Sequence, residues 1–128
     1  MHHIRRILII DDDATSVFLT KRTLRGMYAG ADIRTAETGL EGLRLLQEAA
    51  ANRQPPELLL LDVNMHGMNG LAVLEELGRR RLLNLIDTRI VLLTSTLDPL
   101  HIAFAKNHMA AAYLQKPLTR QALLRVLP

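Results

Sequence analysis

Arg6-Ile7-Leu8-Ile9-Ile10-Asp11-Asp12-Asp13 is the stretch on which the rest of the chain turns. Four aliphatic residues in a row stop abruptly at three carboxylates. A strand with one wet face alternates, so an unbroken aliphatic run bounded this sharply predicts a strand buried on both faces. Outward from it the pattern repeats. Ala14–Met27 carries Val17, Leu24 and Met27 at helical spacing, with Lys21, Arg22 and Arg25 between them. Asp32–Ala36 reads as a short strand. Leu40–Ala51 reads as a helix with Leu43 and Leu46 on one stripe, broken by Pro55-Pro56. Leu58–Leu61 is the next buried strand and ends at Asp62. Gly67 and Gly70 mark a loop before a third helix with Leu71, Leu74 and Leu77. Arg89–Leu93 is a fourth strand ending at Thr94, and Pro99 suits the first turn of a fourth helix, where a missing N–H costs nothing. Ala111–Gln115 is a fifth, weaker strand, and Thr119 can cap a last helix ending near Leu127.

Five strand–helix units in succession predict an α/β fold: a doubly wound, five-stranded parallel sheet with right-handed crossovers and helices on both faces. The 128 residues suit a single domain, with a core over about 5–127 and no effector domain expected. An apolar fraction of 48% with only 3% aromatic residues leaves that core to Leu, Ile, Val and Ala. A net charge of +3 is too mild to argue for nucleic acid or an anionic membrane, so direct contact with neither is expected. The absence of cysteine excludes disulfide scaffolds, thiolate metal sites and thiol nucleophiles. No apolar run approaches the ~18 residues of a membrane span, and the start of the chain does not resemble a leader. A cytoplasmic domain is the expectation.

In such a sheet the binding crevice lies beyond the carboxyl ends of the strands, where strand order reverses. The common order 2-1-3-4-5 puts that point between the first and third strands. These two end in Asp11-Asp12-Asp13 and in Asp62, while the fourth and fifth end in Thr94-Ser95 and Lys116. Two like charges ~4 Å apart repel by about 4 kcal/mol at an effective dielectric of 20, so the cluster needs a cation or protons. Hard oxygen donors without convergent Cys or His favour Mg2+. Removing one carboxylate, such as Asp12, should relieve repulsion in the cation-free protein. Asp13 sits where a helix cap would be. Three aspartates in the first loop also exclude a dinucleotide site, which needs glycine-rich backbone there.

With these residues in hand, the chain resembles the receiver domains of two-component response regulators from about Arg5 to Leu127. The motifs are Ile-Ile-Asp-Asp-Asp (9–13), Leu-Leu-Asp-Val-Asn-Met-His-Gly-Met-Asn-Gly (60–70), Leu-Leu-Thr-Ser (92–95) and Tyr-Leu-Gln-Lys-Pro (113–117). The resemblance implies a flavodoxin-like, chemotaxis-receiver-like phosphoryl switch rather than an ordinary enzyme. Asp62 would accept a phosphoryl group from a histidine kinase or phosphotransfer protein and lose it again by hydrolysis. Asp11 and Asp12 would hold Mg2+ with Asp62 and the backbone carbonyl of Asn64. Lys116 and Thr94 would contact the phosphoryl oxygens, and Thr94 with Tyr113 would couple the site to a docking face. That face would run over Asp98–His108, Tyr113–Gln115 and Thr119–Leu127, serving a downstream protein or a phosphorylation-dependent homodimer. Lys116-Pro117 is a candidate cis bond.

Two departures from the family pattern stand out. His66 occupies a position where proline is usual and, as a lone loop histidine, reads as solvent-exposed rather than as a metal ligand, and Asn69 replaces a frequent aspartate that can cap the third helix equally well. The remaining histidines, His2, His3, His101 and His108, read as ordinary surface or helix residues. Two rivals share these residues. A haloacid-dehalogenase-like phosphatase would use Asp11 as nucleophile and Asp13 as general acid in the Asp-x-Asp-x-Thr pattern completed by Thr15, but it leaves Asp62 without a role. A pseudo-receiver would only dock, yet acceptor and acid pair are both present.

Overall fold

The computed structural model describes residues 4–82, 87–108, 110 and 112–127. Within them ten elements alternate: β1 (Arg6–Ile10), α1 (Ala14–Met27), β2 (Asp32–Ala36), α2 (Gly39–Ala51), β3 (Leu58–Asp62), α3 (Gly70–Arg80), β4 (Arg89–Thr94), α4 (Pro99–Asn107), β5 (Ala112–Gln115) and α5 (Arg120–Val126). The expected start of the fifth strand at Ala111, and His2 and His3, lie outside the described residues. The strands form one sheet in the order β2-β1-β3-β4-β5, every pair parallel, as the sequence predicts.

The aliphatic runs explain this layering by parity. Neighbouring residues in a strand point to opposite faces, and in β1 Leu8 and Ile10 join one core while Ile7 and Ile9 join the other. The first core adds Leu59, Leu61, Ile90 and Leu92 from the central strands and meets Leu43 and Leu46 of α2, Val73, Leu74 and Leu77 of α3, and Ala105 of α4. The second adds Leu58, Leu60, Val91 and Leu93 and meets Leu24 of α1 and Leu123 of α5. Both faces are therefore dry, which is why β3 is buried at every position. The outer strand β2 instead alternates, with Asp32 and Arg34 exposed, and charge on an edge discourages pairing with another chain.

Each helix starts with a side-chain cap that satisfies a free backbone N–H: Asp13, Thr38, Asn69, Asp98 and Thr119 in turn. Such caps contribute about 1 kcal/mol each. No helix among the described residues is long and apolar enough to cross a membrane.

Gly70 differs from its expected place in a loop, for it is the first residue of α3. A Cβ there would stand 2.5 Å from the backbone oxygen of Asp62, so only glycine lets α3 start against the end of β3. Gly70→Ala is expected to lower stability by about 2 kcal/mol and to shift the backbone that carries Asp62. Thermal melting checks the first effect. An unchanged melting temperature would mean that the approach is not needed.

Candidate functional site

The parallel order delivers the ends of β1, β3, β4 and β5 to one edge of the sheet. There Asp11, Asp12 and Asp62 each offer a carboxylate oxygen within 4.8 Å of the others. Asp11 and Asp62 are buried, whereas Asp12 is exposed. Lys116 reaches in from the end of β5, its Nζ 3.1 Å from Asp11 Oδ2 and 3.2 Å from Asp62 Oδ1. One ammonium thus bridges the two buried carboxylates. The Lys116-Pro117 bond is cis, as expected. Asp12, Asp62, Asn64, His66, Ser95 and Lys116 help to line an open cleft of about 510 Å³.

Hydrogen bonds fix each acid. Asp11 Oδ1 accepts from the Asp13 N–H at 2.9 Å, and its Oδ2 accepts from Ser16 Oγ at 2.6 Å. Asp62 Oδ1 accepts from the Asn64 N–H at 3.0 Å. Asp12 Oδ2 accepts from the His66 N–H at 3.0 Å, with His66 Nδ1 3.1 Å away. Asp13 points elsewhere: its Oδ1 accepts from the N–H groups of Thr15 and Ser16, closing the first turn of α1. The Asp13 side chain is therefore spent on a helix start, as its cap reading expected.

These surroundings shift the titrations. Burial pushes the Asp62 carboxyl above its ordinary value, and neighbouring Asp11 adds to the rise against the opposing Asn64 N–H and Lys116. Burial alone would lower Lys116, but Asp11 and Asp62 outweigh it and hold the ammonium above its usual range. Asp12 moves down, because the His66 N–H and ring both favour its charged form. Strain among the carboxylates consequently falls on Asp62, and relief by substitution belongs there rather than at Asp12.

Thr94, buried at the end of β4, has its Oγ1 2.9 Å from Asn64 Oδ1 and 2.9 Å from the Thr96 carbonyl, and accepts from the Thr96 N–H at 3.2 Å. Its single proton serves one of the two acceptors at a time. Tyr113 is half-buried on β5, outside the acidic cluster. Its hydroxyl lies 3.3 Å from His101 Nδ1 on α4, and burial raises its pKa. Sequence reasoning missed Ser16 and the contact of His101, which it took for an ordinary helix residue. It read His66 as a solvent-exposed loop histidine rather than a metal ligand and missed its contact with Asp12. The Ser16 position, five residues after Asp11 and one turn into a helix, was the one local signal.

Three hard-oxygen carboxylates at this spacing, two of them buried around a single ammonium, fit a small divalent cation and suit Mg2+ by ligand chemistry.

Known proteins carry the same arrangement of chain. The family model described as response regulator receiver domain matches residues 7–127. Protein PilH of Pseudomonas aeruginosa is 28% identical over 122 residues, covering 95% of this chain and 93% of its own. The two-component response regulator ARR14 of Arabidopsis thaliana is 32% identical over 122 residues, 94% of this chain. This chain spans only 19–29% of the length of ARR14 and the related ARR12 and ARR10. Among solved structures, a two-component response regulator from Cytophaga hutchinsonii superposes with a TM-score of 0.89 at 28% identity, covering 98% of this chain and 95% of that one. A Burkholderia pseudomallei response regulator, solved with a phosphorylated aspartic acid, calcium ion and citrate, superposes at 0.79 with 25% identity, over 97% of this chain and 66% of that one. These likenesses do not favour the phosphatase alternative. Fold, strand-end acids and family match agree: the chain belongs to the response regulator receiver domains of two-component signalling.

Proposed function

We propose that Asp62 accepts a phosphoryl group from the phosphohistidine of a histidine kinase or phosphotransfer protein in the cytoplasm, and that a single receiver unit passes the signal on by docking. The observation that carries this reading is the Lys116 ammonium bridging buried Asp11 and Asp62, with Asp12 in the same cluster. In the transfer, the donor's N–P bond breaks as an O–P bond forms at an Asp62 carboxylate oxygen. The electron pair leaves on the imidazole nitrogen, which then takes up a proton.

Asp11, Asp12, Asp62 and the backbone carbonyl of Asn64 are the groups that would hold Mg2+. Bound there, the cation offsets repulsion between the carboxylate and the incoming phosphoryl oxygens. Lys116 supplies a second positive charge beside the Asp62 oxygen and would pair with the phosphoryl oxygens. Ser95, small and exposed, leaves the cleft open to a donor. The protein should take up one base- and hydroxylamine-labile phosphoryl group from acetyl phosphate with Mg2+ and none when EDTA is present. Labelling that ignores EDTA would contradict the cation's part.

Thr94 is the proposed link to the surface. In this state its hydroxyl is satisfied locally, by Asn64 or Thr96. A phosphoryl oxygen at Asp62 offers it a charged acceptor, and charge-assisted hydrogen bonds are roughly twice as strong as neutral ones. Thr94 would move toward the site, and Tyr113, whose hydroxyl meets His101 on α4, would follow. The docking face would be that of α4, β5 and α5, where Leu97, Leu100 and Leu124 are exposed near or on these elements. Thr94→Ala is expected to keep much of the labelling while losing the phosphorylation-induced NMR shifts across α4 and β5. Full shifts in that variant would remove Thr94 from the switch. Light scattering with and without beryllofluoride tests phosphorylation-dependent dimerisation, and a monomer in both would end that part.

A further inference from the structure

Ser16 stands in the first turn of α1, and its hydroxyl leaves the helix for the acidic cluster. A serine inside a helix commonly bonds back to a preceding backbone carbonyl. Ser16 Oγ instead donates to Asp11 Oδ2 at 2.6 Å, the length of a charge-assisted hydrogen bond to a carboxylate. We infer that Ser16 is a positioning residue for the cation site: its hydroxyl fixes the orientation in which the Asp11 carboxylate serves Mg2+. This rests on the reading of Asp11, Asp12 and Asp62 as groups that hold the cation.

The partners of Asp11 carry the inference. A carboxylate offers about four lone-pair positions. Asp11 Oδ2 receives two donors, Ser16 Oγ and the Lys116 ammonium at 3.1 Å, while Oδ1 receives one, the Asp13 N–H at 2.9 Å. The remaining position is on Oδ1, and donors on both oxygens hold the plane that aims it. Lys116 is the donor that would turn to the phosphoryl oxygens. Ser16 is then the one donor left on Oδ2 among the described residues, and without it the carboxylate can rotate about its Cβ–Cγ bond. Asp12 and Asp62 are held differently, by the backbone N–H groups of His66 and Asn64. A change at Ser16 therefore acts through Asp11.

Mg2+ titration followed by the NMR amide shifts of Asp13 and Asn64, with no phosphodonor present, tests this. Alanine is the better helix former, so Ser16→Ala keeps α1. That variant should bind Mg2+ about tenfold more weakly, whereas Ser16→Thr, which keeps the hydroxyl, should stay within about threefold of the parent. Unchanged affinity in Ser16→Ala would overturn the inference. A loss that Ser16→Thr fails to restore would overturn it as well, by assigning the effect to the packing of the turn. Asp11→Asn is run beside them: Mg2+ binding unaffected by that substitution would defeat the carboxylate reading itself, and the inference with it. Weakened binding there, together with an unchanged Ser16→Ala, would reject Ser16 alone.

Discussion

Asp62→Asn is expected to abolish phosphoryl labelling and, at neutral pH, to raise the melting temperature. Asparagine keeps the shape of the side chain and an oxygen to accept the Asn64 N–H. It lacks the carboxylate that attacks phosphorus, so labelling should fall to roughly a thousandth or less. The stability gain follows from burial, since the exchanged side chain is only 3% exposed and sits beside Asp11. Removing its charge should contribute about 1 kcal/mol, or roughly 4 °C for a chain of this size.

The pH dependence gives that gain a sign. Burial and Asp11 raise the folded-state pKa of Asp62 above 3.8. The unfolded chain therefore releases this proton first, and ionisation weighs against the folded state. The stability associated with Asp62 is complete below pH 3.8 and declines as pH climbs through the raised folded value. The advantage of Asp62→Asn should accordingly vanish in acid and be full at neutrality. Melting curves from acid to neutral pH check it. A variant less stable than the parent at neutral pH would mean that Lys116 more than compensates the buried carboxylate.

Lys116→Ala should produce the opposite and larger effect on stability. The bridging distances of 3.1 and 3.2 Å to two buried acids carry this expectation. Without the ammonium, carboxylates within 4.8 Å repel by about 3–4 kcal/mol at an effective dielectric of 20. Removing one partner from a buried ionic group typically costs about 3 kcal/mol, roughly 10 °C here. The loss should shrink in acid, where Asp62 takes its proton, and in Mg2+, which binds only the folded cluster. Labelling of this variant should also be slowed, because the phosphoryl oxygens lose their pairing charge. An unchanged melting temperature at neutral pH would show the bridge to be energetically idle.

The strands were legible because a doubly covered sheet demands unbroken aliphatic runs, and Ile7–Ile10 and Leu58–Leu61 have no other economical explanation. The strand-end acids were legible for a related reason. No strand needs Asp11, Asp62, Thr94 or Lys116 to finish it, and the order 2-1-3-4-5 gathers those ends at one edge. The expected helix starts fared less evenly. Asp13, Asn69 and Thr119 were visible as caps, but Thr38 and Asp98 look like any loop residue until the turn that follows them is known. Gly70 looked like a loop marker because its reason, the backbone of Asp62, lies on another element.

What the residues did not disclose were pairings across the fold. His66 meets Asp12 over a separation of 54 residues, and no local pattern announces that contact. His101 lies only 12 residues from Tyr113, yet they meet because α4 folds back on β5. Ser16 joins Asp11 through one turn of helix, a contact that the Asp-rich motif itself overshadows. Composition and periodicity report which side chains are buried, whereas these contacts depend on where particular rotamers point.

Incubation with acetyl phosphate and Mg2+, followed by trapping of the acyl phosphate and peptide mapping by mass spectrometry, tests the central claim most directly. The account predicts a single label on the peptide carrying Asp62, absent from Asp62→Asn. A label on Asp11 with steady release of phosphate would contradict it and make the chain a phosphatase. With a phosphohistidine donor also supplied, no label at all would leave a module that only docks.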